Sequence, residues 1–176
     1  PGISPPPMAF ETSSRRPASR SRTVLTAPAG VAPDFAMNEV QTAQSELVDE
    51  FAFFEDWMDR YQYIIDLGRR LPEFPAAAMT DQNKIRGCQS QVWFIAEMQG
   101  ARLHFQATSD AAIVSGLIAV LLRIYNDRKP QDILDSRADF VAELGFEQHL
   151  SPTRSNGLAS MLKAIHDFAA EAQQAT

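Results

Sequence analysis

Residues 85–93 contain the side chain best suited to covalent chemistry in this sequence. It is the thiol of Cys88, the only cysteine among 176 residues. Gly87 directly precedes it and allows backbone angles that other residues resist, so we expect a tight turn that presents the thiol. The neighbours Arg86 and Gln89 are polar, which is not how a cysteine used as core filler is usually flanked. The stretch therefore indicates a reactive thiol; an inert, buried cysteine is the alternative.

A single cysteine limits the chemistry available within one chain. It excludes an internal disulfide, a cysteine-ligated zinc finger and a cysteine-held iron–sulfur cluster. We expect a reducing compartment, the cytoplasm, and no bound metal or cofactor. A cysteine hydrolase would need a histidine base, for which His104 and His149 are the candidates, although nothing in the sequence brings either one close to Cys88. A non-catalytic adaptor with a structural cysteine is a further alternative.

Two elements are predicted on the N-terminal side of the cysteine. Residues 39–68 have helical periodicity, with one apolar stripe that predicts a single long helix. The stripe consists of Leu47, Phe51, Phe54, Met58, Tyr61 and Ile65, widened by Trp57 and Ile64. Gly68 is a natural stop. Residues 71–84 then form a connector, because Pro72 and Pro75 prevent a regular helix there.

A hairpin and a buried helix are predicted on the other side. Apolar and polar residues alternate over residues 92–98 and 103–107, and the short reversal Gly100-Ala101 joins them into an antiparallel hairpin. His104 falls on its polar face. Ser109 or Asp110 can cap a helix that runs to residue 126 and is apolar around most of its circumference. Gly116 inside this helix suggests the close approach of another backbone.

The remaining sequence predicts short helices and one longer C-terminal helix. Pro130 marks one helix start, and a second short helix over residues 138–144 ends at Gly145. Ser151 and Pro152 begin the final helix, which extends to about residue 172. Arg154 lies in its first turn, where a cation opposes the helix dipole. The elements together predict an α+β fold, a small antiparallel sheet packed against several helices.

Composition and charge suggest one domain and a tail. Residues 1–36 hold seven of the 11 prolines, and four arginines against two carboxylates give this part a net charge of +2. We expect a disordered, non-catalytic tail or an added leader there, or an organellar transit peptide, and a folded domain over residues 37–176. Since the whole chain carries −6, the domain carries −8. This charge argues against nucleic acid or an anionic membrane as a partner, and no apolar run is long enough to span a bilayer.

Three segments resemble the SufE family of sulfur acceptors in order and spacing. Residues 86–93 read Arg-Gly-Cys-Gln-Ser-Gln-Val-Trp, and residues 148–158 read Gln-His-Leu-Ser-Pro-Thr-Arg-Ser-Asn-Gly-Leu. Between them, Ser109-Asp110 is followed by Ile-Ala-Val-Leu at residues 118–121. An earlier segment, residues 61–68 followed by Leu71-Pro72, agrees as well. The likeness covers roughly residue 50 to the C-terminus.

The resemblance implies both a fold and a function. The fold would be related to the iron–sulfur scaffold proteins of the IscU type. Cys88 would accept persulfide sulfur from a SufS-like, pyridoxal-phosphate cysteine desulfurase, stimulate that enzyme, and pass the sulfur to a SufBCD-like cluster-assembly scaffold. Arg86, Gln89, Asp110 and Arg154 are the candidates for supporting or partner-contact roles.

The proposed chemistry leads to two structural expectations. Attack requires a thiolate, and an ordinary cysteine is only slightly ionised at pH 7, so Arg86 or another cation could raise the ionised fraction. A persulfide is fragile, so we expect a hydrophobic pocket, formed by Trp93, Phe94 and the central helix, that covers the sulfur. The cysteine loop would then swing outward when a desulfurase docks.

Overall fold

The computed structural model describes residues 36–175. Except for Ala36, the predicted tail lies outside the described residues. Within the described residues the helices are α1 (Glu39–Phe51), α2 (Trp57–Gly68), α3 (Ala112–Tyr125), α4 (Pro130–Leu134), α5 (Phe140–Glu143), α6 (Phe146–His149) and α7 (Pro152–Gln174). The strands are β1 (Val92–Gln99) and β2 (Arg102–Ser109), and a 3₁₀ turn (Ala76–Ala78) lies in the connector. This arrangement confirms the predicted α+β fold.

The single long helix predicted over residues 39–68 is wrong, because the chain breaks between α1 and α2. Asp56 caps α2 by accepting the Met58 backbone N–H at 2.8 Å, and Arg60 donates to the Phe54 carbonyl at 3.0 Å. The break lets Phe54 pack on Tyr63, with ring centroids 4.9 Å apart. The prediction that Met58 belongs to the buried apolar stripe is also wrong, because Met58 is 68% exposed.

The hairpin forms with the predicted two-residue reversal. β1 and β2 pair antiparallel, with Phe94 opposite Ala107 and Gln99 opposite Arg102. Gly100 lies in the turn with φ of +63°, a backbone conformation that favours glycine. Phe94 and Phe105 are buried and stack edge to face with centroids 5.7 Å apart. One face of the sheet therefore belongs to the core, as the alternation predicts.

α3 is the central buried helix. Ten of its residues are buried, and α2 lies directly against it. Gly116 confirms the predicted close approach, because a Cβ built there would overlap the Ile64 carbonyl oxygen. On the facing side, a Cβ built on Gly68 of α2 would overlap the backbone of α3 at Gly116. The two glycines let the backbones of α2 and α3 touch, and the hairpin and α7 complete the core.

The helices in the C-terminal part of the chain begin where the sequence predicts. Pro130 and Pro152 occupy the first turns of α4 and α7. Gly145 has φ of +79° and lies between α5 and α6. Over the described residues no helix is both long and apolar enough to cross a membrane.

Candidate functional site

Cys88 lies near the tip of a six-residue loop, residues 86–91, whose base is held by three hydrogen bonds. The Ile85 N–H donates to the Val92 carbonyl at 2.9 Å. At the other side, the Gln91 N–H donates to the Asp110 carboxylate at 2.9 Å, and the Asp110 N–H donates to the Gln91 carbonyl at 3.3 Å. These bonds attach the loop to β1 and to the turn before α3. The base of the loop is therefore anchored by hydrogen bonds to both neighbouring elements.

The predicted turn at Gly87 is confirmed. Gly87 has φ of +93°, a conformation that L side chains rarely adopt. A Cβ on this residue would also lie 2.6 Å from the Ser160 Oγ of α7. Glycine is required at this position both for the backbone angle and for the contact with α7.

The thiol points toward α7. Cys88 is half-buried, and its Sγ donates a weak hydrogen bond to the Gly157 carbonyl over 3.6 Å. Burial raises the pKa of the Cys88 thiol. Desolvation disfavours the charged form, so the thiol in this conformation is held protonated.

A cavity of about 280 Å³ opens beside the thiol. Its walls come from the loop, from α3 and from the start of α7. The lining residues are Cys88, Gln89, Ser90, Ala111, Ile113, Val114, Leu117, Ser151, Thr153, Arg154, Gly157 and Met161. The central helix contributes the apolar wall, as expected.

The other two residues expected in that pocket lie elsewhere. Phe94 points into the core, where it stacks on Phe105 and Phe168. Trp93 lies on the other face of β1, with the Lys84 ammonium 6.0 Å from its ring centroid. The prediction of Trp93 and Phe94 as pocket walls is therefore wrong, because the walls are supplied by α3 and α7.

Arg86 and Gln89 flank the thiol in the same loop but differ in their surroundings. Arg86 is exposed and has no hydrogen bond or ion pair within residues 36–175. Gln89 is exposed and lines the cavity. The expectation that Arg86 promotes ionisation does not hold in this conformation, because burial dominates the pKa of Cys88.

Asp110 does not cap α3, which corrects the prediction. The N-cap residue of α3 is Ala111, which has no side-chain capping bond. The carboxylate of Asp110 instead accepts the Gln91 N–H, while the Ser109 hydroxyl accepts the Ala111 N–H at 3.3 Å. Asp110 therefore holds the cysteine loop rather than the helix.

Arg154 lines the cavity from the first turn of α7. Its Nη1 donates to the Tyr61 hydroxyl of α2 at 2.9 Å, and its guanidinium carbon lies 5.9 Å from the centroid of that ring. The sequence pointed to Arg154 but not to Tyr61, Gly157 or Ser160. Gly157 inside a predicted helix was the available signal, since a helical glycine often marks a close contact.

The three histidines lie in the described part of the chain, and none lines the cavity. The His104 Nδ1 lies 2.8 Å from an Asp127 carboxylate oxygen. His149 stacks on Trp57 with centroids 4.0 Å apart, and His166 packs against Tyr125. The arrangement gives Cys88 no histidine base, so it does not support the hydrolase alternative. Among residues 36–175 no cluster of histidine, cysteine or carboxylate side chains could hold a metal ion.

Comparisons with known proteins identify the family to which the chain is similar. A family model described as SufE, an Fe-S metabolism associated domain, matches residues 45–169. An uncharacterized SufE-like protein of Rhizobium meliloti (strain 1021) is 41% identical over 129 residues, which cover 70% of this chain and 92% of the relative. A second one, from Rhizobium etli, is 40% identical over 129 residues, with 70% and 87% covered.

A solved structure supports the fold independently. The solution structure of a hypothetical protein from Thermus thermophilus superposes with a TM-score of 0.64 at 17% identity, covering 75% of this chain and 96% of that one. At this identity the likeness establishes the fold alone. The matched domain and the two Rhizobium relatives establish more: the chain belongs to the SufE family, which is associated with iron–sulfur metabolism.

Proposed function

We propose that this protein is a sulfur carrier whose Cys88 accepts persulfide sulfur from a pyridoxal-phosphate cysteine desulfurase. It stimulates that enzyme and passes the sulfur to an iron–sulfur cluster assembly scaffold. The observation that carries the proposal is the position of the sole thiol, near the tip of a short loop beside a cavity of about 280 Å³. A carrier needs a thiol that a partner can reach, and a loop tip satisfies this need.

The transfer is a thiol–disulfide exchange and needs no external oxidant. The Cys88 thiolate attacks the outer sulfur of the desulfurase persulfide and forms a new S–S bond. The old S–S bond breaks, and its electron pair leaves with the desulfurase cysteine as a thiolate. The proton released from Cys88 is taken up by the departing thiolate or by solvent. One thiol per carrier is sufficient.

The resting thiol is not ready for this attack. It is half-buried and protonated, because burial raises its pKa. Docking of the desulfurase would move the loop outward, so that the thiol enters water, ionises more readily and reaches the partner. The same burial would shelter a loaded persulfide from reductants and oxidants between visits. The chemistry requires a reducing compartment such as the cytoplasm.

The scaffold step repeats this exchange in the other direction. The outer sulfur of the Cys88 persulfide is attacked by an acceptor thiolate on the scaffold, and Cys88 leaves as a thiolate. Arg154 and Gln89 lie at the cavity and are available for partner contact, while Asp110 holds the loop base. The acidic charge of the domain agrees with partners that are proteins rather than nucleic acid.

Intact-mass analysis after incubation with a desulfurase and cysteine tests the proposal. We expect one additional sulfur atom per chain, removable with a reductant, and faster sulfide or alanine production by the enzyme. Cys88→Ser should lose both effects while its fold stays unchanged. An unloaded chain, or a Cys88→Ser variant that still stimulates the enzyme, would favour the adaptor alternative instead.

A further inference from the structure

α7 contacts the cysteine loop at two places, and both contacts depend on small residues. A Cβ added to Gly157 would lie 3.3 Å from the Cys88 Sγ, a tight contact that the thiol could relieve only by shifting. One turn further along the helix, the Ser160 Oγ lies 2.6 Å from the position that a Cβ of Gly87 would take. The loop therefore touches α7 at a distance that larger side chains at these positions would not permit.

We propose that Gly157 and Ser160 form a seat on α7 that positions the Gly87–Cys88 turn. We infer further that occupation of this seat sets the fraction of the protein whose thiol can react. In this reading Gly157 is a positioning residue for Cys88. The seat itself needs no partner, whereas its effect on sulfur transfer rests on the proposed function.

The cost of glycine in a long helix supports a specific role for Gly157. An interior glycine is markedly less favourable in a helix than alanine. At Gly116 the neighbour is another helix, since the Ile64 backbone of α2 lies over it. At Gly157 the nearest atoms outside α7 belong to Cys88 alone: Sγ, Cβ and Cα, at 3.3, 3.8 and 4.0 Å from the added Cβ. The space at Gly157 is thus used by the thiol rather than by helix packing.

The seat has a fixed shape. The Ser160 hydroxyl donates to the Asn156 carbonyl at 2.9 Å, which fixes the Oγ beneath Gly87. The Gly157 carbonyl belongs to the helix backbone and accepts the thiol proton from a fixed position. The Ser160 Oγ and the Gly157 carbonyl thus define the position of the Gly87–Cys88 turn on α7.

The seat also favours the protonated thiol of Cys88 over the thiolate. The S–H group can donate to the Gly157 carbonyl, but a thiolate would face the same oxygen without a proton between them. Arg154 of α7 is the charged residue among those lining the cavity; Arg86 in the loop is exposed and unpaired within residues 36–175, and Asp110 at the base accepts the Gln91 N–H. Leaving the seat and ionising should therefore occur together.

Alkylation of Cys88 by iodoacetamide, followed by intact mass across a range of pH, tests the seat without any partner. Gly157→Val should raise the alkylation rate at neutral pH by about tenfold, because overpacking makes the seated state less favourable. Gly157→Ala should give a smaller rise, and Ser160→Leu should act like Gly157→Val from the Gly87 side. In each variant the midpoint of the rate against pH should move down toward that of an ordinary cysteine.

Ala159→Val is the matched control. It adds the same branched side chain two residues along α7, at an exposed position on a different face of the helix. We expect wild-type alkylation rates and an unchanged pH midpoint. Because Gly157→Ala improves helix propensity, it should keep or raise the urea midpoint while exposing the thiol. If Gly157 served only the packing of the fold, Gly157→Ala would lower the urea midpoint and leave the reactivity of Cys88 unchanged.

Two results would overturn the seat. One is equal alkylation of the wild type, Gly157→Ala and Gly157→Val, all shown by circular dichroism to be folded. The other is an equal acceleration in Ala159→Val. Persulfide loading by a desulfurase separates this proposal from the function: variants that alkylate faster while no form of the chain loads would support the seat and reject the carrier. If the wild type loads sulfur but the variants alkylate at the wild-type rate, the carrier function is supported and the seat is rejected.

Discussion

The Asp110 carboxylate accepts the backbone N–H of Gln91 over 2.9 Å and so joins the last residue of the cysteine loop to the turn before α3. The bond connects residues 19 positions apart and is exposed. It is the side-chain bond that closes the loop on its C-terminal side. The bond therefore attaches the base of the loop to the turn before α3.

Asp110→Ala should loosen this base. Removing an exposed bond to a charged acceptor should lower the free energy of unfolding by about 1 kcal/mol. Hydrogen exchange at the Gln91 amide should become faster, and alkylation of Cys88 should rise with it. Asp81→Ala is the control, because Asp81 is an exposed carboxylate of the connector with no hydrogen bond within residues 36–175. Unchanged exchange at Gln91 would show that other contacts hold the loop.

Arg154→Ala should weaken partner docking more than it weakens the fold. Arg154 is exposed, so its bond to Tyr61 should contribute less than about 1 kcal/mol to stability. An arginine beside the thiol cavity is well suited to contact a partner, and we expect the desulfurase concentration for half-maximal loading to rise by about five- to tenfold. A titration of loading by intact mass measures this change.

Two further variants sharpen that prediction. Tyr61→Phe removes the hydroxyl but keeps the ring, so it should reproduce part of the Arg154→Ala effect if Tyr61 orients the guanidinium. Arg69→Ala removes an exposed arginine at the far end of α2 that pairs with Asp66. It should leave loading unchanged. If Arg69→Ala weakens loading as much as Arg154→Ala does, the effect is one of general charge.

Gly116→Ala should destabilise the fold even though alanine is the better helix former. The added Cβ would overlap the Ile64 carbonyl oxygen and would force α2 and α3 apart. We expect a loss of more than about 2 kcal/mol in the free energy of unfolding, measured by urea denaturation. Gly100→Ala tests backbone strain without a steric clash. Gly100 has φ of +63°, but a Cβ built there would have no other atom within 4 Å. The substitution should cost only about 1 kcal/mol, and a similar loss in both variants would contradict the packing argument.

Tyr125 should make the protein unstable at alkaline pH. Burial raises the pKa of Tyr125 to about 12, from 10 for an ordinary tyrosine. Between these values the unfolded chain ionises and the folded chain does not, so stability present below pH 10 is lost as the pH rises. The loss from this residue is about 2 to 3 kcal/mol by pH 12.

Urea midpoints on both sides of pH 10 measure the effect of Tyr125. Tyr125→Phe should be somewhat less stable near neutrality, since it loses the 3.5 Å bond from Gln44, and should lose less stability above pH 10. Parallel curves for the two proteins would show that other groups cause the alkaline loss.

Local rules were sufficient for much of the fold. Alternation predicted the hairpin, and proline marked the starts of α4 and α7. Gly87 predicted a turn with positive φ, and Gly116 predicted a close backbone contact. Each of these inferences depends on a residue's own backbone preference or on its immediate neighbours, so the sequence is enough to make them.

The break between α1 and α2 needed tertiary information. Periodicity continues across residues 52–56, yet Phe54 reaches its place against Phe51 and Tyr63 only when the helix stops. Asp56 caps α2 in the structure, and the apolar stripe alone does not distinguish one helix from two. Packing of aromatic rings in the core decided between the two.

For the site, the sequence by itself determined the candidate nucleophile Cys88, the turn at Gly87 and the family motifs around them. Only the tertiary structure decided what covers the thiol and what holds the loop. Cys88 meets Gly157 across 69 positions, and Asp110 leaves its expected helix cap for Gln91. Contacts of this kind arise from how α3 and α7 pack beside the hairpin, and no local preference of the residues involved encodes that packing.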